Sequence, residues 1–235
     1  MFIRRRAIYF LTECTRNLPK NLHAGSFADG TGLTIVTTKL GESRADSKLK
    51  ASCKKAAAGC TSGFLSSARK LHFGKIHVKA RFFPKASGVA AAKGFIGLED
   101  PHSGAITITV HGAGASPSGA PGGADWTQYI QSSCYQHGNN HNKDFRDVQA
   151  AVGNDHHVDF AQNFHWFEID WGTSEVSIRV DGKLVRRVSG TDNVPQQPLS
   201  VHLHARSVDY PSMLVANMSM FVQEFKYEPA GSQHR

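Results

Sequence analysis

From Ser26 onward, apolar and polar residues alternate in short runs that break at clusters of Gly, Asn, Asp, Pro and Ser. A period of two is the signature of a strand with one buried face, because successive side chains point to opposite sides. The clearest run is Gly104 to Gly112. Ile106, Ile108 and Val110 share one side, and Ala105, Thr107, Thr109 and His111 share the other. The first side is apolar and is expected to bury. The second is small and hydroxylic, and it is the side on which chemistry is expected.

Other runs read the same way. Leu33 to Thr38 predicts a first strand, and Gly63 to Ser67 another. In Phe73 to Pro84, Ile76, Val78, Ala80 and Phe82 are expected to face a core. Lys75, His77, Lys79 and Arg81 then form a basic outer stripe. Ala90 to Leu98 is small and apolar, a buried strand. Trp126 to Tyr135 alternates, with Tyr129, Gln131, Ser133 and Tyr135 on one face. Phe164 to Gly172 and Val176 to Val185 predict a hairpin pair. Asp181-Gly182 lies at a tight turn inside the second segment, since Asp-Gly readily takes positive φ. Leu199 to Arg206 and Met218 to Tyr227 complete the set. Residues 42–62, 113–125 and 137–142 read as polar loops.

No long stretch with a period of 3.6 occurs after residue 25. Many short strands at regular spacing predict an all-β sandwich of two antiparallel sheets, a jelly roll. The expected organisation is a basic amino-terminal arm or transit-like segment over 1–25, one jelly-roll domain over 26–228, and a tail over 229–235.

Composition changes this picture little. The chain has 235 residues with 40% apolar and 20% charged, the balance of an ordinary globule rather than a disordered chain. Its net charge of +8 permits an acidic partner such as RNA, anionic lipid or an acidic protein. The amino terminus concentrates that charge: Arg4, Arg5, Arg6, Arg16 and Lys20 stand against Glu13. Arg-rich, acid-poor and amphipathic is the pattern of an organellar transit segment. The expected location is mitochondrial, with plastid or secreted as alternatives. A basic arm that docks on a partner is the other reading, with Lys75, Lys79 and Arg81 as further docking candidates.

The four cysteines, Cys14, Cys53, Cys60 and Cys134, form no C-x-x-C pair. Cys53 and Cys60 are close enough in sequence for a short-loop disulfide, and free thiols are equally compatible. The thirteen histidines include His202 and His204 on one strand face, but three or four converging ligands are not evident, so no metal and no cofactor is expected. There is no Gly-x-Ser-x-Gly elbow, P-loop or dinucleotide fingerprint. Aromatic residues are not expected to interleave with the basic stripe as they would on an RNA-stacking platform.

Four blocks, in order, resemble glycoside hydrolase family 16, the concanavalin-like jelly roll of laminarinases and lichenases. The first is Ser66 to Pro84, where Phe73-Gly74 precedes the alternating strand. The second is Gly94 to Gly112. The third is Phe164-His165 with Trp171 and then Asp181-Gly182. The fourth is Pro198 to Arg206 with Phe221 to Tyr227. The resemblance spans about residues 25–228 and implies the jelly-roll fold.

It also implies where the chemistry should be. The family's catalytic strand reads Glu-x-Asp-x-Glu, and those positions align with Ala105, Thr107 and Thr109. A retaining glycosidase needs two carboxylates about 5–5.5 Å apart. A methyl and two hydroxyls supply neither nucleophile nor general acid, so the resemblance implies the fold and argues against the activity. Glu99 and Asp100 are expected in a loop, because Pro101 follows at once. Glu168 and Asp170 mimic half of the motif but belong to the block before the Asp-Gly turn.

Three functions are weighed in order. The first is an inactive glucanase relative serving as a structural accessory subunit of a mitochondrial assembly, a respiratory complex or ribosome, with other protein subunits as partners. The second is a lectin-like glycan binder using the old cleft through His111, Trp126, Tyr129 and Tyr135. The third is a hydrolase with displaced acids.

Overall fold

A computed structural model describes residues 3–5, 15–17, 22–27, 30–39, 60–62, 64–82, 92–111, 129–136, 146–149, 160, 163–207 and 218–231. Within them lie sixteen strands. They are β1 (Ile3–Arg5), β2 (Thr15–Asn17), β3 (Leu22–Phe27), β4 (Gly30–Lys39), β5 (Cys60–Ser62), β6 (Phe64–Ser67), β7 (Gly74–Phe82) and β8 (Ala92–Asp100). They continue as β9 (Gly104–His111), β10 (Tyr129–Gln136), β11 (Arg146–Gln149), β12 (His165–Trp171), β13 (Glu175–Val180), β14 (Lys183–Ser189), β15 (Ser200–Ser207) and β16 (Met218–Pro229).

Two sheets result. The seven-stranded sheet runs β1-β6-β15-β8-β9-β10-β11. The nine-stranded sheet runs β14-β13-β12-β7-β16-β4-β5-β2, with β3 paired to β4. The pairings are antiparallel except that β2 runs parallel to β5. The chain is therefore the all-β jelly-roll sandwich that its alternation predicts.

The core lies between the sheets. From β7 it takes Ile76, Val78, Ala80 and Phe82, the residues that alternation places inward. β12 adds Phe167, Ile169 and Trp171, and β13 adds Val176, Ile178 and Val180. Across the gap, the seven-stranded sheet contributes Ile96, Leu98, Ile106, Ile108, Val110 and Ile130. Phe82 meets Phe167 edge-on at 5.3 Å between ring centres, a favoured geometry for aromatic pairs. Trp171 packs edge-on against Phe73 at 5.2 Å and donates its indole N–H to the Pro195 carbonyl at 2.9 Å.

The Phe73-Gly74 step that opens β7 has a steric cause. Gly74 has φ +129°, and a Cβ there would lie 2.3 Å from the Glu228 carbonyl oxygen. No side chain fits that approach. The Tyr227 hydroxyl donates to the Phe73 carbonyl at 2.8 Å and fastens the same corner.

Asp181-Gly182 forms the two-residue loop between β13 and β14, with φ of +49° and +78°. This is the positive-φ pair that matches the twist of a hairpin. The turn is also tied back to β12. Asp181 accepts a hydrogen bond from the Trp166 N–H at 2.9 Å and sits 2.7 Å from His165 Nδ1, while its own N–H donates to the Trp166 carbonyl at 2.9 Å.

Three expectations change. Glu99 and Asp100, expected in a loop, complete β8. Proline pushes the preceding residue towards extended geometry, so Pro101 ends a strand without displacing its last residues. Cys60 lies in β5, inside the stretch expected as a loop. Cys53 and Cys14 lie outside the described residues; Cys134 is buried and free. Of the segment expected as an arm, Ile3–Arg5 and Thr15–Asn17 extend the two sheets, β1 on β6 and β2 on β5.

The tie between Asp181 and β12 makes a measurable prediction. Burial opposes the ionised form of Asp181, but the hydrogen bonds from His165 and the Trp166 N–H outweigh it, and its pKa falls below the ordinary 3.8. A lowered carboxylate pKa contributes stability above the unfolded value, and that stability is lost as pH falls through the folded value. Asp181→Ala is expected to cost about 1–2 kcal/mol at pH 7, the modest end for a partly exposed charged hydrogen bond. In urea unfolding the gap from the wild type should narrow below about pH 4. A gap independent of pH would remove the carboxylate's part in the tie.

Candidate functional site

β9 sits in the middle of the seven-stranded sheet, and its register with β8 and β10 fixes what surrounds each outward residue. Ala105 lies between Glu99 and Tyr135. Thr107 lies between Gly97 and Ser133, and Thr109 between Phe95 and Gln131. One strand further, β15 places Ser200 beside Glu99, His202 beside Gly97 and His204 beside Phe95. Directly opposed residues share a face. The outer face therefore carries three rows, centred on Ala105, Thr107 and Thr109.

These rows are less open than alternation alone suggests. Ala105 is 1% exposed and Thr107 6%, although both point away from the inter-sheet core. Side chains from neighbouring strands close over them. The Phe95 ring folds across Gly97, where a Cβ would meet it at 2.4 Å. Phe95 in turn stacks on the buried His204 at 4.3 Å and 19°. The expected hydroxylic surface is thus a floor roofed at its centre by an aromatic stack.

The charged group in the Ala105 row is Glu99, whose Oε2 lies 3.7 Å from His202 Nδ1. That distance is beyond a hydrogen bond, and burial dominates: it pushes His202 down to about 4 from an ordinary 6.5. His202 is accordingly a neutral imidazole at physiological pH. Tyr135, on the other side of Ala105, is 37% exposed. Burial of its hydroxyl, and next the negative charge of Glu99, raise its pKa, so it stays protonated.

Neighbouring acids are committed elsewhere. Asp100 is held at about 2 by the Lys70 ammonium, the His102 N–H and the Ser103 hydroxyl. It caps the Pro101–Ser103 turn. Glu168 and Asp170 lie on the outer face of the other sheet. Arg179 donates to Glu168 at 2.8 Å, His77 lies 3.3 Å from Glu168, and Lys75 lies 3.3 Å from Asp170.

Of the expected site residues, the structure brings Ala105, Thr107, Thr109 and Tyr135 together. His111 ends β9 and Tyr129 begins β10; Trp126 lies outside the described residues. Arg4 and Arg5 belong to β1, paired with Ser66 and Leu65, and Arg6 lies outside the described residues. Lys75, Lys79 and Arg81 are on the nine-stranded sheet and do not meet this face. There, aromatics do interleave with the basic stripe, contrary to expectation. Lys79 lies 5.7 Å from the Trp166 ring, and Arg81 sits between Phe164 at 5.1 Å and Phe221 at 4.7 Å. The rings come from β12 and β16, not from the stripe's own segment. Sequence reasoning missed Glu99 and gave His202 no role. Carrying the alternation of β8 through to Pro101 would have found Glu99. Among the described residues, no group of three His, Cys, Asp or Glu is placed to hold a metal ion.

The model of glycosyl hydrolases family 16 matches residues 26–211. The chain is similar in structure to the β-glucanase of Bacillus licheniformis, with TM-score 0.66 and 14% identity over 96% of this chain and 91% of that one. It is similar to a Bacteroides ovatus family 16 endo-glucanase in complex with G4G3G-2F-DNP, with TM-score 0.70 and 14% identity over 96% and 94%. It is also similar to the catalytic domain of an endo-1,3-β-glucanase (laminarinase) from Thermotoga petrophila RKU-1, with TM-score 0.63 and 16% identity over 93% and 84%. A comparison with curated proteins gave no match.

The buried neutral imidazole has a consequence for stability. With a folded pKa of about 4 and an ordinary value of 6.5, His202 binds its proton more readily in the unfolded chain between those limits. Stability therefore rises with pH across this window and falls on acidification. From pH 7 to pH 5 the loss from this group is at most about 2 kcal/mol. His202→Gln should flatten that part of the profile in urea unfolding at the two pH values. An unchanged slope would show that His202 does not titrate there.

Proposed function

Because the chain belongs to glycosyl hydrolase family 16, we propose that it is a non-hydrolytic member that binds a glycan chain on the outer face of its seven-stranded sheet. One observation carries this reading. The three rows of that face centre on Ala105, Thr107 and Thr109, and among the described residues their carboxylates are Glu99, in the Ala105 row on β8, and Asp147, which opposes Gln131 in the Thr109 row on β11, three strands and two rows away. Retaining hydrolysis divides its work between two carboxylates about 5–5.5 Å apart. Two acids three strands apart cannot divide attack on the anomeric carbon and protonation of the leaving oxygen between them. Binding needs only hydrogen-bonding groups and a ring surface, which the hydroxyls of Thr109 and Ser133, the amide of Gln131 and the ring of Tyr135 supply.

Incubation of the full chain with laminarin or lichenan is expected to release no reducing ends above a protein-free control. Turnover that Glu99→Gln abolishes would overturn the non-hydrolytic reading and make Glu99 a displaced catalytic acid.

A second reading is favoured by the amino-terminal segment: a structural accessory subunit of a mitochondrial assembly. The segment is rich in arginine, and its strands β1 and β2 pair into both sheets, as a retained docking element would. On this reading the endogenous protein from gently solubilised organelles co-migrates with a megadalton-scale assembly on a native gel. Migration as a free species near 25.6 kDa would sink it.

A further inference from the structure

We infer that the outer face of the nine-stranded sheet, where β12, β7 and β16 lie side by side, is a platform for single-stranded nucleic acid. Phe164, Trp166 and Phe221 take the bases, and Lys79, Arg81 and Lys226 take the phosphates. The inference is independent of the glycan-binding reading, which concerns the other sheet.

The placement comes from register. β7 buries Val78, Ala80 and Phe82, so Lys79 and Arg81 point outward. Lys79 lies between Trp166 on β12 and Glu224 on β16, and Arg81 lies beside Phe221 on β16. The Trp166 ring has two ammonium groups near it, Lys79 at 5.7 Å and Lys226 at 5.5 Å. The Arg81 guanidinium lies between the rings of Phe164 at 5.1 Å and Phe221 at 4.7 Å. These distances lie within the roughly 6 Å over which a ring attracts a cation. All three rings are partly buried, which steadies them, and each keeps part of its surface open. Interleaving of rings with cations is what the basic stripe lacks within its own segment. Strands from elsewhere in the chain supply it.

Charge balance selects the partner. Towards the start of β7 the acids of this face are matched: Arg179 donates to Glu168, and Lys75 lies 3.3 Å from Asp170. Asp181, beside Trp166, is turned back onto His165 and the Trp166 N–H. At the aromatic end Lys226 pairs with Glu224 at 2.5 Å. Glu224 is the residue that opposes Lys79, so Lys79 has no carboxylate partner among the described residues. Lys79, Arg81 and Lys226 against Glu224 leave an excess of positive charge beside the rings. A chain that alternates phosphates with flat bases matches this arrangement. Phosphates bind the cations and release counterions. Bases stack on aromatic rings and on guanidinium planes with little regard to sequence. A duplex hides the faces of its bases, and an anionic polysaccharide has charge without a planar face. Neither uses the rings.

The test titrates the full chain with oligouridylate and with oligothymidylate, each of about 12 nucleotides, by fluorescence anisotropy over a series of salt concentrations. The proteins are the wild type, Trp166→Leu, Lys79→Ala and Arg69→Ala. Arg69 is an exposed cation ahead of the far end of β7 and controls for lost charge alone. Circular dichroism verifies the fold of each. The wild type and Arg69→Ala are expected to bind at least one oligonucleotide equally, the tighter one identifying RNA or DNA as the source. Trp166→Leu should bind at least about 5-fold more weakly, the lower end for one lost stack. Lys79→Ala should reduce the slope of log affinity against log salt by about 0.7, one phosphate contact on a single strand. Unlabelled oligonucleotide should quench tryptophan emission in the wild type and not in Trp166→Leu, since Trp171 is buried. Three outcomes overturn the platform: no binding by the wild type, wild-type affinity in Trp166→Leu or an unchanged slope in Lys79→Ala, and stronger competition by heparin or by a duplex of equal length than by the single strand. None of them bears on glycan binding at the other sheet.

Discussion

The register of β9 between β8 and β10 is the constraint from which the functional face follows. Ile106, Ile108 and Val110 are buried in the inter-sheet core, and a slip of one residue would turn all three to the outside. Losing even one such side chain from a core costs about 2–5 kcal/mol. The apolar face of β9 therefore fixes its polar face, whatever residues the polar face carries. Ala105, Thr107 and Thr109 share the outer face because folding is decided on the other side of the strand. Three carboxylates on one strand face repel one another, and replacing them with a methyl and two hydroxyls removes that repulsion. Fold and catalysis are separable here because they occupy opposite faces of one element.

The same separation explains how a recognisable family block persists whatever residues the outer face of β9 carries. The pattern Phe164-His165, Trp171 and Asp181-Gly182 is held by structural work. Trp171 fills the core beside Phe73 and binds the Pro195 carbonyl. Asp181 ties the β13–β14 turn to β12 through Trp166 and His165. Phe73-Gly74 turns a corner that leaves no room for a Cβ. None of these residues faces Ala105. Identities of only 14–16% to the glucanase structures are compatible with the shared fold because a few such corners and turns constrain the sheets strongly.

Much of this architecture is legible in the sequence. The inward set of β7, the outward set of β9, the β12–β13 pairing and the Asp-Gly turn each follow from contacts within a few residues. What escapes is what depends on strands distant in sequence. On the outer face of the seven-stranded sheet the Phe95 ring from β8 folds over Gly97 and stacks on His204 from β15, and Ala105 and Thr107 are buried. The aromatic partners of Lys79 and Arg81 arrive from β12 and β16. Alternation tells which side a residue faces, but not what a neighbouring strand lays on top of it. β1, β2 and β5 span three residues each, too short for a period of two to register. Glu99 was hidden by a different error: a proline bounds a strand as readily as it marks a loop.

Loss of the acids changes what the face can do more than whether it can act. Hydrolysis requires groups that interact more strongly with the transition state than with the sugar at rest. A hydroxyl such as that of Thr109 treats both states nearly alike. Glu99 restores one negative charge beside the position of Ala105, but on β8, where its neighbours are a neutral imidazole and a protonated phenol. The other carboxylate of that face among the described residues, Asp147, stands on β11, three strands away and beyond the separation at which two acids share a retaining mechanism. The non-hydrolytic reading rests on that separation of the two acids.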